Sequence, residues 1–198
     1  MIGEARKSLS FFYAGLSQYE NEIISNGYKV GGKFAMFQFE KIIPGEHKDL
    51  IIAFRRDSFR VSFGNDDNFG EDEEYIEWVQ ECSERYPDGF VLVKYLDQYV
   101  GQLELQILKY KDENIGYVNL YYLIPSYRGK GYGKYLHEYA MQFFNSKGVD
   151  EYHLRVSPLN QQAISFYKKL GMKEMGLEVD GKVMRMKGTV LNKFELSH

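Results

Sequence analysis

Cysteine is nearly absent from this chain: Cys82 is the only one in 198 residues. No internal disulfide can form, and a lone thiol suits a reducing cytoplasm, where the protein is expected. Cys82 falls in a helical stretch and reads as a packing residue. His47, His137, His153 and His198 are scattered and have no cysteine partners at ligand spacing, so no metal is expected. No segment reaches the roughly 18 consecutive apolar residues of a membrane span. The N-terminus carries Glu4, Arg6 and Lys7 ahead of a polar-interrupted apolar stretch, unlike a secretory signal. A net charge of −3 leaves no general nucleic-acid footprint. Repeats and low-complexity tracts are missing too. What is present is ordinary for a globular chain: 44% hydrophobic and 27% charged residues, in a length that supports one large domain, or one with an extension. Aromatics are abundant at 16%. Core packing is the first reading of them, and an acceptor groove walled by tyrosines is the second.

The most informative stretch is Tyr127-Arg128-Gly129-Lys130-Gly131-Tyr132-Gly133. Upstream, 117–124 is rich in β-branched and aromatic residues and reads as a strand that Pro125 ends. Downstream, Tyr132, Tyr135, Leu136, Tyr139, Ala140, Phe143 and Phe144 recur at helical spacing until Gly148. Three glycines between strand and helix let the backbone approach a ligand, and the first-turn N–H groups favour an anion. Arg128 and Lys130 add positive charge, although a solvated surface role suits Lys130 equally well. The combination reads as a pyrophosphate cradle. Its spacing is neither that of a P-loop nor that of G-x-G-x-x-G, whose third glycine would fall at Lys134. It is Arg-x-x-Gly-x-Gly, on Arg128, Gly131 and Gly133.

A second motif follows about 25 residues on. His153-Leu154-Arg155-Val156-Ser157 reads as a strand, Pro158-Leu159-Asn160 as a turn, and 161–170 as a short amphipathic helix stopped by Gly171. In order and separation the two motifs resemble the signatures of the GCN5-related N-acetyltransferase (GNAT) superfamily, over roughly residues 115–176. The resemblance implies an α/β fold with a central, mixed but mostly antiparallel sheet flanked by helices. It also implies direct transfer of an acetyl group from acetyl-CoA to a primary amine, on a small molecule, a lysine or a protein N-terminus.

Periodicity along the chain agrees with that element order. Residues 4–25 predict an amphipathic helix. A strand is expected from Lys33 to Ile43 and a helix over 46–62 with Leu50, Ile51, Ala53 and Phe54 inward. The acidic stretch Gly64–Glu74 reads as a loop, followed by a second helix through Tyr75, Ile76, Trp78, Val79 and Cys82. Phe90–Leu96, Tyr99–Leu108 and Gly116–Ile124 form an antiparallel meander, and Tyr152–Val156 joins it in parallel after a helical crossover. Asp180-Gly181 marks a last hairpin. The chain divides into an N-terminal helical extension, 1–32, and the family domain, 33–198. Packing is the first reading of the extension; a dimer contact and an acceptor-site wall are the others.

The resemblance also assigns residues. Tyr122, Leu123 and Ile124 are to bind the pantetheine arm through main-chain atoms where their strand splays from Tyr152–Val156. The N–H groups of Arg128, Gly129, Lys130, Gly131, Tyr132 and Gly133 are to hold the pyrophosphate. Asn160 contacts the arm, or simply caps its helix. Tyr167, seven residues later, lies on the cofactor and protonates the departing thiolate, with a core aromatic as its bland alternative. The general base is the weak link. Val118-Asn119-Leu120 offers no carboxylate, and Arg155 stands where a ribosomal-protein N-terminal subgroup carries glutamate. Glu104 is the remaining candidate, acting through water, and a solvated strand-face charge is the favoured reading of it. That gap motivates an alternative: an acyl-CoA sensor or scaffold without turnover. The acidic Asp66–Glu74 loop and Asp180 hint at a cationic acceptor, or at nothing beyond solubility.

Overall fold

The computed structural model describes residues 37–190, with two short strands before them, β1 (Lys29–Val30) and β2 (Lys33–Phe34). The helix expected over 4–25 lies outside the described residues. β1 and β2 pair only with each other. The single strand expected from Lys33 to Ile43 is therefore two, and its second part, β3 (Phe37–Lys41), enters the main sheet.

Helix α1 (Pro44–Phe63) starts on a proline, whose missing N–H costs nothing in a first turn. Gly64, at φ 86°, ends it by donating to the Arg60 carbonyl. Ile51 and Phe54 are buried, whereas Ala53, expected inward, is exposed. Two residues beyond Ile51 is roughly 200° around a helix, so the two cannot share a face. Helix α2 (Asp72–Arg85) begins inside the expected loop. Asp72, Glu73 and Glu74 crowd its first turn, where the dipole favours negative charge.

β4 (Phe90–Tyr95), β5 (Gln98–Tyr110) and β6 (Glu113–Leu123) form the expected meander. Lys111 and Asp112 both have positive φ, as a two-residue hairpin turn requires. A 3₁₀ turn at Pro125–Tyr127 leads to α3 (Gly133–Ser146), β7 (Glu151–Val156), α4 (Gln161–Lys169), β8 (Lys173–Glu178) and β9 (Val183–Thr189). The sheet order is β3-β4-β5-β6-β7-β9-β8, and only β6 and β7 pair in parallel. Register drops one residue between Glu104 and Leu105, so that Asn119 is extra on β6, a bulge that sequence periodicity does not reveal.

Alternation along the strands fills two cores. Leu103, Leu105, Val118, Tyr152 and Leu154 belong with Leu136 and Phe144 of α3 to one. Phe90, Leu92, Leu120 and Tyr122 belong with Ile51, Phe54 and Val79 of α1 and α2 to the other. The sheet is thus covered by helices on both faces.

Candidate active site

Parallel pairing of β6 with β7 runs from Gly116↔Tyr152 to Val118↔Leu154 and stops. Beyond it the two strands diverge. Ile124 donates to the Val100 carbonyl, which fixes the alternation of the β5–β6 ladder: Leu120, Tyr122 and Ile124 turn their main-chain groups to β5. Tyr121 and Leu123 turn theirs to the gap. Of the three residues expected to bind through main-chain atoms, Tyr122 and Ile124 therefore face β5, and Tyr121, which the motif did not single out, faces the gap with Leu123. Knowing the hairpin register would have shown this; the motif alone could not.

The gap opens into a cleft of about 970 Å³. At its mouth, Gly129 and Gly131 have φ of 71° and 80°, a left-handed backbone that turns successive N–H groups outward. No acceptor among the described residues takes the N–H groups of 129–133. Gly133 has a different reason: a Cβ there would lie 2.9 Å from the Phe166 ring, so this glycine serves the close packing of α3 on α4. Lys130 is exposed and Tyr132 half-buried.

Arg128 points inward. Its Nε donates to the Leu123 carbonyl at 2.6 Å, and its terminal nitrogen pairs with Asp57 at 2.5 Å. The Tyr122 hydroxyl donates to the same Asp57 oxygen at 2.8 Å. The guanidinium also lies 5.2 Å from the Tyr122 ring. Its charge is partly met by Asp57, and it ties loop, β6 and α1 together where it lines the cleft. The Leu123 carbonyl is consequently occupied, leaving the Leu123 N–H and both main-chain groups of Tyr121 to the gap.

Asn160 caps α4, its Oδ1 accepting from the Ala163 N–H at 3.1 Å, and it also lines the cleft. Tyr167 lines the cleft one helix turn on from Ala163, and its hydroxyl has no hydrogen-bond partner among the described residues. Burial pushes this phenol above its ordinary pKa, so it stays protonated. The Tyr121 ring lies 6.4 Å from it, with a hydroxyl that is buried and likewise unpartnered.

Glu104 is fully buried, which overturns its reading as a solvated charge. Helices α1 and α2 cover its face of β5. Its Oε1 accepts from the Tyr75 hydroxyl at 2.6 Å and from Gln102 at 2.9 Å, and Arg55 lies 3.2 Å from its Oε2. Loss of water raises the Glu104 pKa, against the pull of Arg55 and its hydrogen bonds. Arg55 also donates to the Asn119 carbonyl at the bulge, 2.9 Å away. Tyr75, Arg55 and Asn119 line a second pocket of about 240 Å³, together with Trp78, Glu71 and Glu74. Three more acids of the loop are paired within the protein: Asp66 and Asp72 with Arg56, Asp66 also with Arg60, and Glu73 with Lys48.

An open parallel joint, a glycine-bent loop feeding a helix N-terminus, and an unpartnered phenol beside the opening define an acyltransferase of the mixed α/β type. Residues 52–172 match the acetyltransferase (GNAT) family, and the chain belongs to that family. It is an enzyme of acetyl transfer. The PaiA N-acetyltransferase of Thermoplasma acidophilum, solved with coenzyme A, is 25% identical, with a TM-score of 0.59 over 77% of this chain and 98% of its own. The spermidine N-acetyltransferase of Vibrio cholerae, solved with CoA and spermine, is 18% identical, with a TM-score of 0.58 over 79% and 99%. Arabidopsis thaliana Naa50, bound to the bisubstrate analogue CoA-Ac-MVNAL, is 19% identical, with a TM-score of 0.56 over 77% and 98%. The last two likenesses bear on the fold alone. No curated protein sequence matches the chain.

Proposed function

We propose that the protein transfers acetyl from acetyl-CoA to a primary amine by direct attack, with no acyl-enzyme intermediate. The observation that carries this reading is the convergence on one cleft of the outward N–H groups of 129–133, the free main-chain groups of Tyr121 and Leu123, and the Tyr167 hydroxyl. The loop N–H groups receive the diphosphate, and the β6 edge receives the amides of the pantetheine arm in place of a neighbouring strand. Asn160 adds a contact on the arm beside its capping role. The Thermoplasma acidophilum neighbour, solved with coenzyme A, supports the same co-substrate.

In the transfer, amine nitrogen bonds to the thioester carbon and the carbon–sulfur bond breaks. Tyr167 then gives its proton to the thiolate. The proton leaving the amine needs an acceptor, and Glu104, bonded to the Tyr75 hydroxyl that lines the second pocket, is the candidate. Burial raises the Glu104 pKa above the ordinary carboxylate value, the direction that makes it a stronger proton acceptor. Calorimetry with acetyl-CoA, paired with thiol detection over a panel of amines, tests the reading. Binding followed by coenzyme A release is expected. Binding without release on any amine would restore the sensor alternative, and an absence of binding would end both.

A further inference from the structure

None of the residues lining the main cleft is Asp, Glu or His, whereas Arg55, Lys109, Arg128, Arg155, Lys169 and Arg185 all line it. The chain as a whole carries −3, so this is no reflection of bulk composition. Strand alternation divides the cleft. Leu154 and Val156 face the α3 and α4 core, so Arg155 projects to the other face, the side of α1. Its cross-strand partner on β9 is Arg185. Arg155 is also the first residue of β7 past the last pair with β6, so it stands at the edge of the gap.

The two arginines share one carboxylate. Glu178 accepts from Arg155 Nε at 2.7 Å and from Arg185 Nε at 2.6 Å. Arg185 is used up: buried, held also by Glu178 through a terminal nitrogen and by His153 through the other, and lying 4.7 Å from the Tyr110 ring. His153 adds no charge, because its Nδ1 accepts from Arg185 while its Nε2 donates to Glu151, a tautomer assigned from those partners. Lys187 is the third cation of this face and pairs with Glu151. Three cations thus meet two carboxylates. Arg155 alone has two terminal nitrogens with no partner among the described residues, on a side chain 45% exposed.

Resting on the acetyl transfer proposed above, we infer that the acceptor is a small primary amine carrying a carboxylate or phosphate, and that Arg155 binds this anionic group. A planar fork of two free N–H donors matches either anion. An acceptor bearing further ammonium groups meets repulsion there.

The test uses the full chain saturated with coenzyme A and three probe amines: γ-aminobutyrate, phosphoethanolamine and putrescine. Their binding is measured by calorimetry, and their turnover with acetyl-CoA by thiol release. At least one anionic amine is expected to bind about tenfold or more tighter than putrescine. Whichever of γ-aminobutyrate and phosphoethanolamine binds better identifies the anion. Arg155→Gln is expected to erase the difference and Arg155→Lys to keep part of it, with acetyl-CoA affinity unchanged in both. Equal or tighter binding of putrescine, failure of both anionic amines to bind, or a preference that survives Arg155→Gln would overturn the inference. Each of those can occur while acetyl-CoA still binds and leaves the proposed activity standing; loss of acetyl-CoA binding in the wild type removes both.

Discussion

Tyr167 presents an oxygen to the cleft that no described protein group engages, and removal of that one atom leaves ring packing intact. Tyr167→Phe is expected to lower kcat by about 10²- to 10⁴-fold, the usual worth of a positioned acid, with acetyl-CoA affinity held within about twofold. Unchanged kcat would make Tyr167 a packing residue. Gly133 answers to a different force. Gly133→Ala places a methyl 2.9 Å from the Phe166 ring and should destabilise the fold by about 1–3 kcal/mol in urea denaturation. Phe166→Leu should relieve most of that loss, and strict additivity of the two changes would argue against the contact. At this scale the sequence was readable wherever a residue acts on its immediate neighbours in the chain. Gly129, Gly131 and the Asn160 cap are of that kind. Glu104 was not. Gln102-Leu103-Glu104-Leu105 alternates like a strand with one wet face, and nothing local shows that α1 and α2 cover that face or that Tyr75, 29 residues earlier, meets the carboxylate.

Elements were easier to read than their joints. The meander, the crossover to β7 and the order of helices follow from periodicity and turn residues, and α2 began early only because three acidic residues suit a first turn as well as a loop. The bulge at Asn119 and the inward Arg128 depend on register and on residues far away in the chain. Arg128 joins three elements: the β6 end through Leu123, α1 through Asp57, and the loop that bears it. Arg128→Ala should therefore weaken acetyl-CoA binding indirectly, by loosening the loop, and should cost about 1–3 kcal/mol of stability. Asp57→Asn, which leaves the cleft lining untouched, should shift both readings in the same direction. A double-mutant cycle on denaturation midpoints checks the link. If the losses simply add, the pair is not coupled and Asp57 does not hold the loop through Arg128.

Stability of the whole molecule should carry the signature of histidines folded in neutral form. His137, on α3 beside the Tyr152 ring, has its Nδ1 buried without a partner among the described residues, and burial lowers its pKa from 6.5 to about 4. Its proton is taken up more readily by the unfolded chain, so its contribution is complete above pH 6.5 and disappears as pH falls through the interval toward 4. His153, also lowered by burial, works in the same direction. Glu104 opposes them, because a raised folded pKa makes acidification favour the native state. Asp66, Glu151 and Glu178, held low by their basic partners, lose their contribution only below the ordinary carboxylate range. Between pH 6.5 and 4.5 the histidines and Glu104 therefore act in opposite directions, and a variant isolates one histidine. His137→Leu should remove at most about 3 kcal/mol of the wild-type loss across that interval, measured by urea denaturation at half-unit steps. Parallel curves for wild type and variant would mean that water reaches His137 in the native state, and that the α3 face against Tyr152 is looser than its packing indicates.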